Sequence, residues 1–264
     1  HRESIRKGTV MENSKLPFRY WFVTMHLLTA TKNTFSALEL QRQLGHKRYQ
    51  PVWEMLHKLR SVMGKRDGKY TLKGNVEIDE GFFSTEVKEE EKDDAPKRGA
   101  GSQSKTKVLV MAESESVESP KPGKKEKKVN HIKMVVIPDA KADTIDGVVK
   151  VKVDKDSSVV GDGTKSHVHF PDIFKEYSGR KINAEDIGKV LPWVHIAISN
   201  AKTRLAGIYH GITPEYLQEY LNEFCYKFNR RYFGERQFDR LLSASVGYVT
   251  DFKHRVYNKR LGFA

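Results

Sequence analysis

Two aspartates, Asp79 and Asp162, each follow a short apolar segment that is typical of a β-strand. Asp79 follows the letters NVEI and Asp162 follows SVVG. Carboxylates at neighbouring strand ends can hold one or two divalent cations, which activate a water or a 3′-hydroxyl and stabilise the leaving oxygen in phosphoryl transfer. Acidic residues also close many strands simply as turn formers. The pair therefore indicates phosphoryl transfer only if other features of the chain agree.

Two histidines, His167 and His169, alternate in the segment SHVHF. Residues two apart share one face of a strand, and imidazole is a common zinc ligand. No third ligand lies at a zinc-like spacing from them, so we expect no zinc in this chain. The single cysteine, Cys225, cannot form an internal disulfide, which favours a reducing cytoplasm.

The middle of the chain predicts the sheet that would position these carboxylates. β-rich runs, among them KVLVMAES and HIKMVVIPD, begin near Tyr70, and helical patterns return from Asn183 onward. This order predicts an α/β fold, a mixed sheet with helices on its faces. Two charged segments, near 86–106 and 116–128, interrupt the strands, and we expect them to be mobile insertions.

The first part of the chain predicts a small helical domain over residues 1–68. Ser36 with Glu39 fits a capping box at the start of a helix over Ala37–Leu44, and Gly45 is a suitable C-terminal cap for that helix. Pro51 can occupy the first position of the next helix, which runs to about Met63. Two helices joined by a short turn with basic residues are the outline of a helix-turn-helix, although a plain helical bundle has the same outline.

Charge is concentrated at both ends of the chain. The net charge is +13, with +9 in residues 1–70, −1 in 71–199 and +5 in 200–264. Lys and Arg replace the counterions of nucleic acid phosphates, so basic ends are typical of a DNA-binding protein. A basic protein without such a partner has the same charge. No apolar run is long enough to span a membrane, and we expect no membrane partner.

The C-terminal third contains LPWVHIAISNAKTRLAGIYHGITPEYLQEYLNEFCYKFNRRY, which resembles the insertion-sequence DDE transposases that carry a zinc ribbon and an RNase H-like core. The letters VEIDE and GDG resemble the family's first two metal-binding segments and so assign Asp79 and Asp162 as ligands, with Glu80 as a possible helper. The family's Cys-rich ribbon would precede His1; the chain itself has no such cysteines.

The resemblance also implies further site residues on the C-terminal helices. The family has a third ligand, often Glu, seven residues before a Lys; counting back from Lys202 gives His195, with Asn200 as the alternative. The family's pattern on the last long helix is matched by Glu223, Lys227 and Arg230. The basic residues assigned to DNA contact are Lys47, Arg48, Arg60, Lys202, Arg230 and Arg231.

The resemblance implies a transposase that cuts and joins DNA with Mg²⁺ or Mn²⁺, two ions being expected. Its partners would be element-end and target duplexes, bound by a homodimer in a prokaryotic cytoplasm, at the nucleoid. The catalytic domain would span 69–264. Because the third ligand is not Glu, the alternative is a catalytically weakened or domesticated transposase that only binds DNA.

Overall fold

The computed structural model describes residues 3–87, 102, 104–118, 127–179 and 190–252. The helices are α1 (Phe18–Ala30), α2 (Ala37–Leu44), α3 (Tyr49–Gly68), α4 (Ala142–Lys152), α5 (Phe170–Ile173), α6 (Pro192–Ile208), α7 (Leu217–Asn229) and α8 (Arg236–Gly247). The strands are β1 (Asn75–Ser84), β2 (Lys105–Ser116), β3 (Lys127–Ile137), β4 (Ser158–Gly161) and β5 (Glu176–Gly179). Short 3₁₀ turns cover Lys165–His167 and Pro214–Tyr216.

The chain divides into two compact units, residues 1–69 with 230–264, and residues 70–229. The sequence predicted domains of 1–68 and 69–264; in the structure, residues 230–252 lie with the first unit. The reason lies in α8, whose buried Leu241 and Ala244 belong to a helix that packs against α1 and α3. The described residues after Asn229 therefore complete the N-terminal helical unit.

Local sequence signals explain the helices of the first unit. The Ser36 side chain accepts a hydrogen bond from the Glu39 backbone N–H, and Gly45 ends α2 in the left-handed region at φ 63°. Helix α3 begins at Tyr49, before the predicted Pro51, and continues to Gly68 rather than Met63. Pro51 still lies in the first turn, where its lack of an N–H costs no helical hydrogen bond.

The second unit contains a five-stranded sheet in the order β3-β2-β1-β4-β5. Strands β1, β2 and β3 pair antiparallel, whereas β4 runs parallel to β1 and β5 runs parallel to β4. The predicted α/β fold class, a mixed sheet flanked by helices, is confirmed. Strand β1 passes through Asp79 to Ser84, so Asp79 lies inside the strand and not after its end as predicted.

Both faces of this sheet are covered, as alternation along β2 shows. Val108, Val110 and Ala112 join a core cluster with α6 and α7, while Leu109 and Met111 join the opposite cluster with α4 and α5. Burial on both faces explains why KVLVMAES reads as a continuous apolar run. Most of the two predicted insertions, at 88–101, 103 and 119–126, lies outside the described residues, as does 180–189.

Candidate active site

The parallel pairing of β1 with β4 aligns the two aspartates. The register runs through Asn75 with Ser158 and Glu77 with Val160. Two residues further along the same register, Asp79 on β1 stands level with Asp162, which directly follows β4. Both carboxyl groups are partly buried. The structure therefore brings the two predicted ligands together on neighbouring strands.

The pKa of Asp79 is raised to about 7, first by burial of its carboxyl group and then by the negative charges of Asp162 and Glu80. One hydrogen bond opposes this shift, because Asp79 Oδ1 accepts from the Glu80 backbone N–H at 2.8 Å. Neighbouring carboxylates repel one another, and a bound cation removes that repulsion. The electrostatics of Asp79 thus fit a cation site.

A buried histidine lies between two other carboxylates of this site. His167 Nδ1 is 3.2 Å from Asp162 Oδ1, and His167 Nε2 is 3.5 Å from Glu80 Oε1, although neither contact has good hydrogen-bond alignment. Burial alone would lower the pKa of His167, but these two carboxylates raise it to about 9. A Cβ on Gly161 would lie 2.8 Å from His167 Nδ1, so this approach requires glycine.

Sequence reasoning noted His167 only as a partner of His169, yet the two side chains diverge. His167 contacts Asp162 and Glu80, whereas His169 Nδ1 contacts Asp146 Oδ2 at 2.6 Å. A 3₁₀ turn at Lys165–His167, not a strand, separates their directions. The missed signal was the turn-forming GDG before SHVHF. Strand β4 ends at Gly161, so His167 and His169 do not lie on a strand and do not share a strand face.

His195 lies on the first turns of α6 and faces Asp79. Its Nδ1 is 3.7 Å from Asp79 Oδ2, and burial lowers the pKa of His195. Its Nε2 is buried without a hydrogen-bond partner. Asn200, the alternative third ligand, is exposed on the same helix. The geometry favours His195 over Asn200 as the group nearest the aspartates.

Glu77, which sequence reasoning did not select, fixes the start of α6. Its Oε2 accepts hydrogen bonds from the backbone N–H groups of Trp193 at 2.8 Å and Val194 at 3.0 Å. The preceding Leu191 offers no side-chain cap, so these N–H groups would otherwise lack an acceptor. Glu77 and Asp79 are two apart on β1 and share a face. One strand face therefore carries both the first aspartate and the anchor of the helix that presents His195.

Lys202 and the remaining predicted residues occupy different places. Lys202 is exposed two turns after His195, with its Nζ 5.7 Å from the centre of the Phe83 ring on β1. Burial of part of its side chain lowers the pKa of Lys202, and Lys105 lowers it further. Glu223 is buried on α7, a helix that packs against β3 and α6, and its charge acts on Arg204. The described contacts thus place Lys202 next to Phe83 of β1, and Glu223 on a different helix, α7.

The basic residues predicted to contact DNA divide by exposure. Lys47 and Arg48 are exposed immediately before α3, as expected. Arg60 is only 1% exposed and lies beside His57, so the structure contradicts its expected surface position; the apolar 3–4 spacing of α3 carries it inward. Arg230 is buried against Asp67 in an ion pair within the helical unit. Arg231 stacks on Tyr232 at 4.4 Å.

The donor set fits a divalent cation. One ligand atom each from Glu80, Asp162 and His167 lies within 4.8 Å of the others. The carboxylate oxygens of Glu80 and Asp162 are the preferred ligands of Mg²⁺ and Mn²⁺, whereas the raised pKa of His167 makes it an ion-pair partner of these carboxylates. Within the described residues, no helix is both long and apolar enough to cross a lipid bilayer.

The fold is a five-stranded mixed sheet flanked by helices, and the candidate site on it is a cluster of carboxylates and histidines. The family model described as the ISXO2-like transposase domain matches residues 71–229, more than half of the chain. The chain therefore belongs to this family of insertion-sequence DDE transposases. Membership implies use of a divalent metal.

Two solved structures are weakly similar. A pre-cleavage Mos1 transpososome shares 14% identity with a TM-score of 0.29, covering 89% of this chain and 81% of that one. A Mos1 transposase paired-end complex with the left transposon end shares 15% identity with a TM-score of 0.30, covering 90% and 82%. No curated protein sequence matches the chain.

Proposed function

We propose that this transposase cleaves DNA at the ends of its element and joins them to target DNA, using Mg²⁺ or Mn²⁺ held by Asp79, Asp162 and His195. Two observations support the proposal: the contact of His195 with Asp79, and the β1–β4 register that sets Asp79 level with Asp162. Two neighbouring strands supply the aspartates, and His195 lies 3.7 Å from Asp79. Glu80 and His167 stand beside them and complete a polar, partly buried site.

The reaction is two phosphoryl transfers. In cleavage, a water oxygen bonds to phosphorus while the bond from phosphorus to the 3′-oxygen breaks, leaving a 3′-hydroxyl and a 5′-phosphate. In joining, that 3′-hydroxyl loses its proton and attacks a target phosphodiester, displacing another 3′-oxygen. A bound divalent cation supplies the positive charge that activates the attacking oxygen and stabilises the leaving oxygen.

The protein's own residues keep the site assembled for both steps. His167 holds Asp162 and Glu80 by their mutual charge attraction, which keeps the two carboxylates in fixed positions. Glu77 holds α6 against β1 and so sets the distance from His195 to Asp79. Lys202, at the far end of the same helix face, provides a point charge for a phosphate of the bound DNA.

DNA binding is assigned to the basic helical unit, with Lys47 and Arg48 as leading contacts. Both are exposed at the start of α3, after the turn that follows α2. The concentration of positive charge in residues 1–70 supports this assignment. A homodimer that pairs two element ends is part of the same proposal.

The test is metal-dependent cleavage of duplexes that carry the ends of the element encoding this chain. We expect the full chain to nick these duplexes with Mg²⁺ or Mn²⁺ and to lose this activity with a chelator. A chain that binds the same duplexes tightly but never nicks them with either metal is the domesticated DNA-binding protein, and the proposed activity is then wrong.

A further inference from the structure

A second group of metal-ligating side chains lies on the side of the sheet that α4 and α5 cover. Asp143 and Asp146 are three residues apart in the first turns of α4, and His169 lies just before α5. One ligand atom from each residue lies within 4.8 Å of the others. These side chains line a cavity of about 590 Å³, together with Lys150, Lys155 and Asp172.

The Asp146 carboxyl group is incompletely satisfied. Asp146 is only 6% exposed, and its Oδ2 is 2.6 Å from His169 Nδ1. Its Oδ1 is buried without a hydrogen-bond partner. A buried carboxylate oxygen without a donor is destabilising, and such atoms are rare in folded proteins. Asp146 lines the cavity beside another carboxylate and an imidazole, and the unpartnered oxygen of its buried carboxyl group points to a cation held by these three residues.

We propose that Asp143, Asp146 and His169 bind a divalent transition-metal ion, separate from the catalytic site. Two carboxylates and one imidazole are the mixed oxygen and nitrogen donors of Zn²⁺ and Mn²⁺ sites, and imidazole disfavours Ca²⁺ and Mg²⁺. Three aspartates against two lysines leave the cavity wall net negative. Open space in the cavity admits water as the remaining ligand.

Such an ion would connect α4 to the segment that carries His167. His169 is two residues beyond His167, whose ring stacks on Phe170 at 4.4 Å and contacts Asp162. Fixing His169 to α4 therefore restrains the turn that holds one side of the catalytic site. Sequence spacing does not reveal this ligand set, because strand β4 lies between α4 and His169 in the chain.

The test uses Zn²⁺ alone and the full chain stripped of metal by a chelator. The starting protein carries Asp79→Asn and Asp162→Asn, so that binding at the catalytic aspartates is removed. Calorimetric titration should still find one Zn²⁺ per chain. Adding Asp143→Asn or His169→Gln should weaken this binding at least about tenfold. Asp172→Asn is the matched control, because it removes a carboxylate from the same cavity but outside the ligand set.

Thermal unfolding provides a second readout, because a ligand that binds only the folded chain raises the unfolding midpoint. Zn²⁺ should raise the midpoint of the starting protein and of Asp172→Asn equally, and should raise that of His169→Gln by less. Asp143 is exposed, so Asp143→Asn should fold normally. The proposal is overturned if both ligand variants bind the single Zn²⁺ with unchanged affinity, if none binds the starting protein, or if Asp172→Asn weakens binding as much as Asp143→Asn.

Discussion

Asp79 and Asp162 present an electrostatic problem that a cation resolves. Burial and the nearby Asp162 raise the pKa of Asp79 to about 7, so the cation-free site holds one of its carboxyl groups partly protonated near neutral pH. Burial by itself raises the pKa of Asp162, but the nearby His167 and the Thr164 backbone N–H outweigh burial and lower it. Two adjacent carboxyl groups with opposite pKa shifts are typical of a functional site.

The assignment of His195 as third ligand predicts the effects of two substitutions at this residue. His195→Ala should reduce metal-dependent strand cleavage by about 100-fold or more, the loss that misplacing a reacting group can cause. His195→Glu should retain or raise activity with Mg²⁺, because a carboxylate oxygen suits Mg²⁺ better than imidazole does. Single-turnover cleavage rates with saturating enzyme measure both effects.

Asn200→Ala is the matched control on the same helix and should leave the cleavage rate within about threefold of the unchanged chain. A large loss in Asn200→Ala, with His195→Ala active, would transfer the third-ligand role to Asn200. If His195→Ala, Asn200→Ala and Lys202→Ala all cleave normally, α6 is not part of the active site.

At the scale of elements, β1 connects the first aspartate to helix α6 through Glu77. Glu77→Ala removes the acceptor of two helix-start N–H groups, which should lower the free energy of unfolding by about 1–2 kcal/mol. It should also slow cleavage more than it weakens DNA binding, because His195 moves relative to Asp79. Glu77→Gln keeps an acceptor oxygen and should recover most of the cleavage rate.

Glu176→Ala, on the exposed edge strand β5, controls for the loss of a strand glutamate and should change neither rate nor stability. The positioning role of Glu77 is contradicted if Glu77→Ala and Glu77→Gln cleave equally slowly, or if Glu77→Ala lowers stability while the cleavage rate is unchanged.

A second buried glutamate, Glu113, stabilises an irregular point of the sheet. The pairing of β2 with β3 shifts register between Ala112 and Ser114. The Glu113 carboxylate accepts hydrogen bonds from Tyr70, the Lys73 backbone N–H and Asn130, and His131 is 3.6 Å away. Burial by itself raises the pKa of Glu113, but these neighbours outweigh it and lower the pKa below its usual 4.5.

This lowered pKa predicts a pH-dependent stability. A carboxyl group with a lower pKa in the folded state stabilises the fold above its unfolded pKa, and this contribution is lost as pH falls through the folded value. Glu113→Gln should therefore lower the free energy of unfolding by about 1–3 kcal/mol at pH 7. Denaturant unfolding at pH 7 and below pH 4.5 should show this difference shrinking in acid; a difference that is constant with pH contradicts the charged network.

Much of the fold could be predicted from the sequence because its signals are local. Ser36 and Gly45 carry their own capping chemistry, and alternation along β2 is visible in the letters. The roles of Glu77 and His167 could not be predicted, since each depends on a contact that is distant in sequence or on a short turn. Arg60 was misplaced because its charge suggested the surface, while the apolar spacing of α3 determines its burial.

At the scale of the whole molecule, charge is divided between the two units. Basic residues predominate in the N-terminal stretch, and the near-neutral middle carries the candidate site. The described C-terminal residues 230–252, which include Arg230, Arg231, Arg236 and Arg240, join the helical unit assigned to DNA. This arrangement predicts separable variants, some that lose DNA binding and others that lose only cleavage.

Lys47→Ala with Arg48→Ala should weaken binding to any duplex and reduce the slope of log affinity against log salt by about one or two units. Fluorescence anisotropy across a salt series measures this slope. Lys141→Ala with Lys175→Ala, two exposed lysines of the other unit, is the matched control and should leave the slope unchanged. An unchanged slope in the Lys47 and Arg48 variant would place the interface elsewhere, with Arg231 as the next residue to examine.

The most direct test of the central claim is a change of metal preference at the two aspartates. Asp79→Cys and Asp162→Cys replace a hard oxygen ligand with a thiolate, which binds Mg²⁺ poorly and softer divalent ions better. Each variant should bind DNA as the unchanged chain does. Its strand-cleavage activity should be lost with Mg²⁺ and partly restored with Mn²⁺. Cleavage that proceeds with Mg²⁺ at the rate of the unchanged chain in either variant would contradict the assignment of these carboxylates as metal ligands.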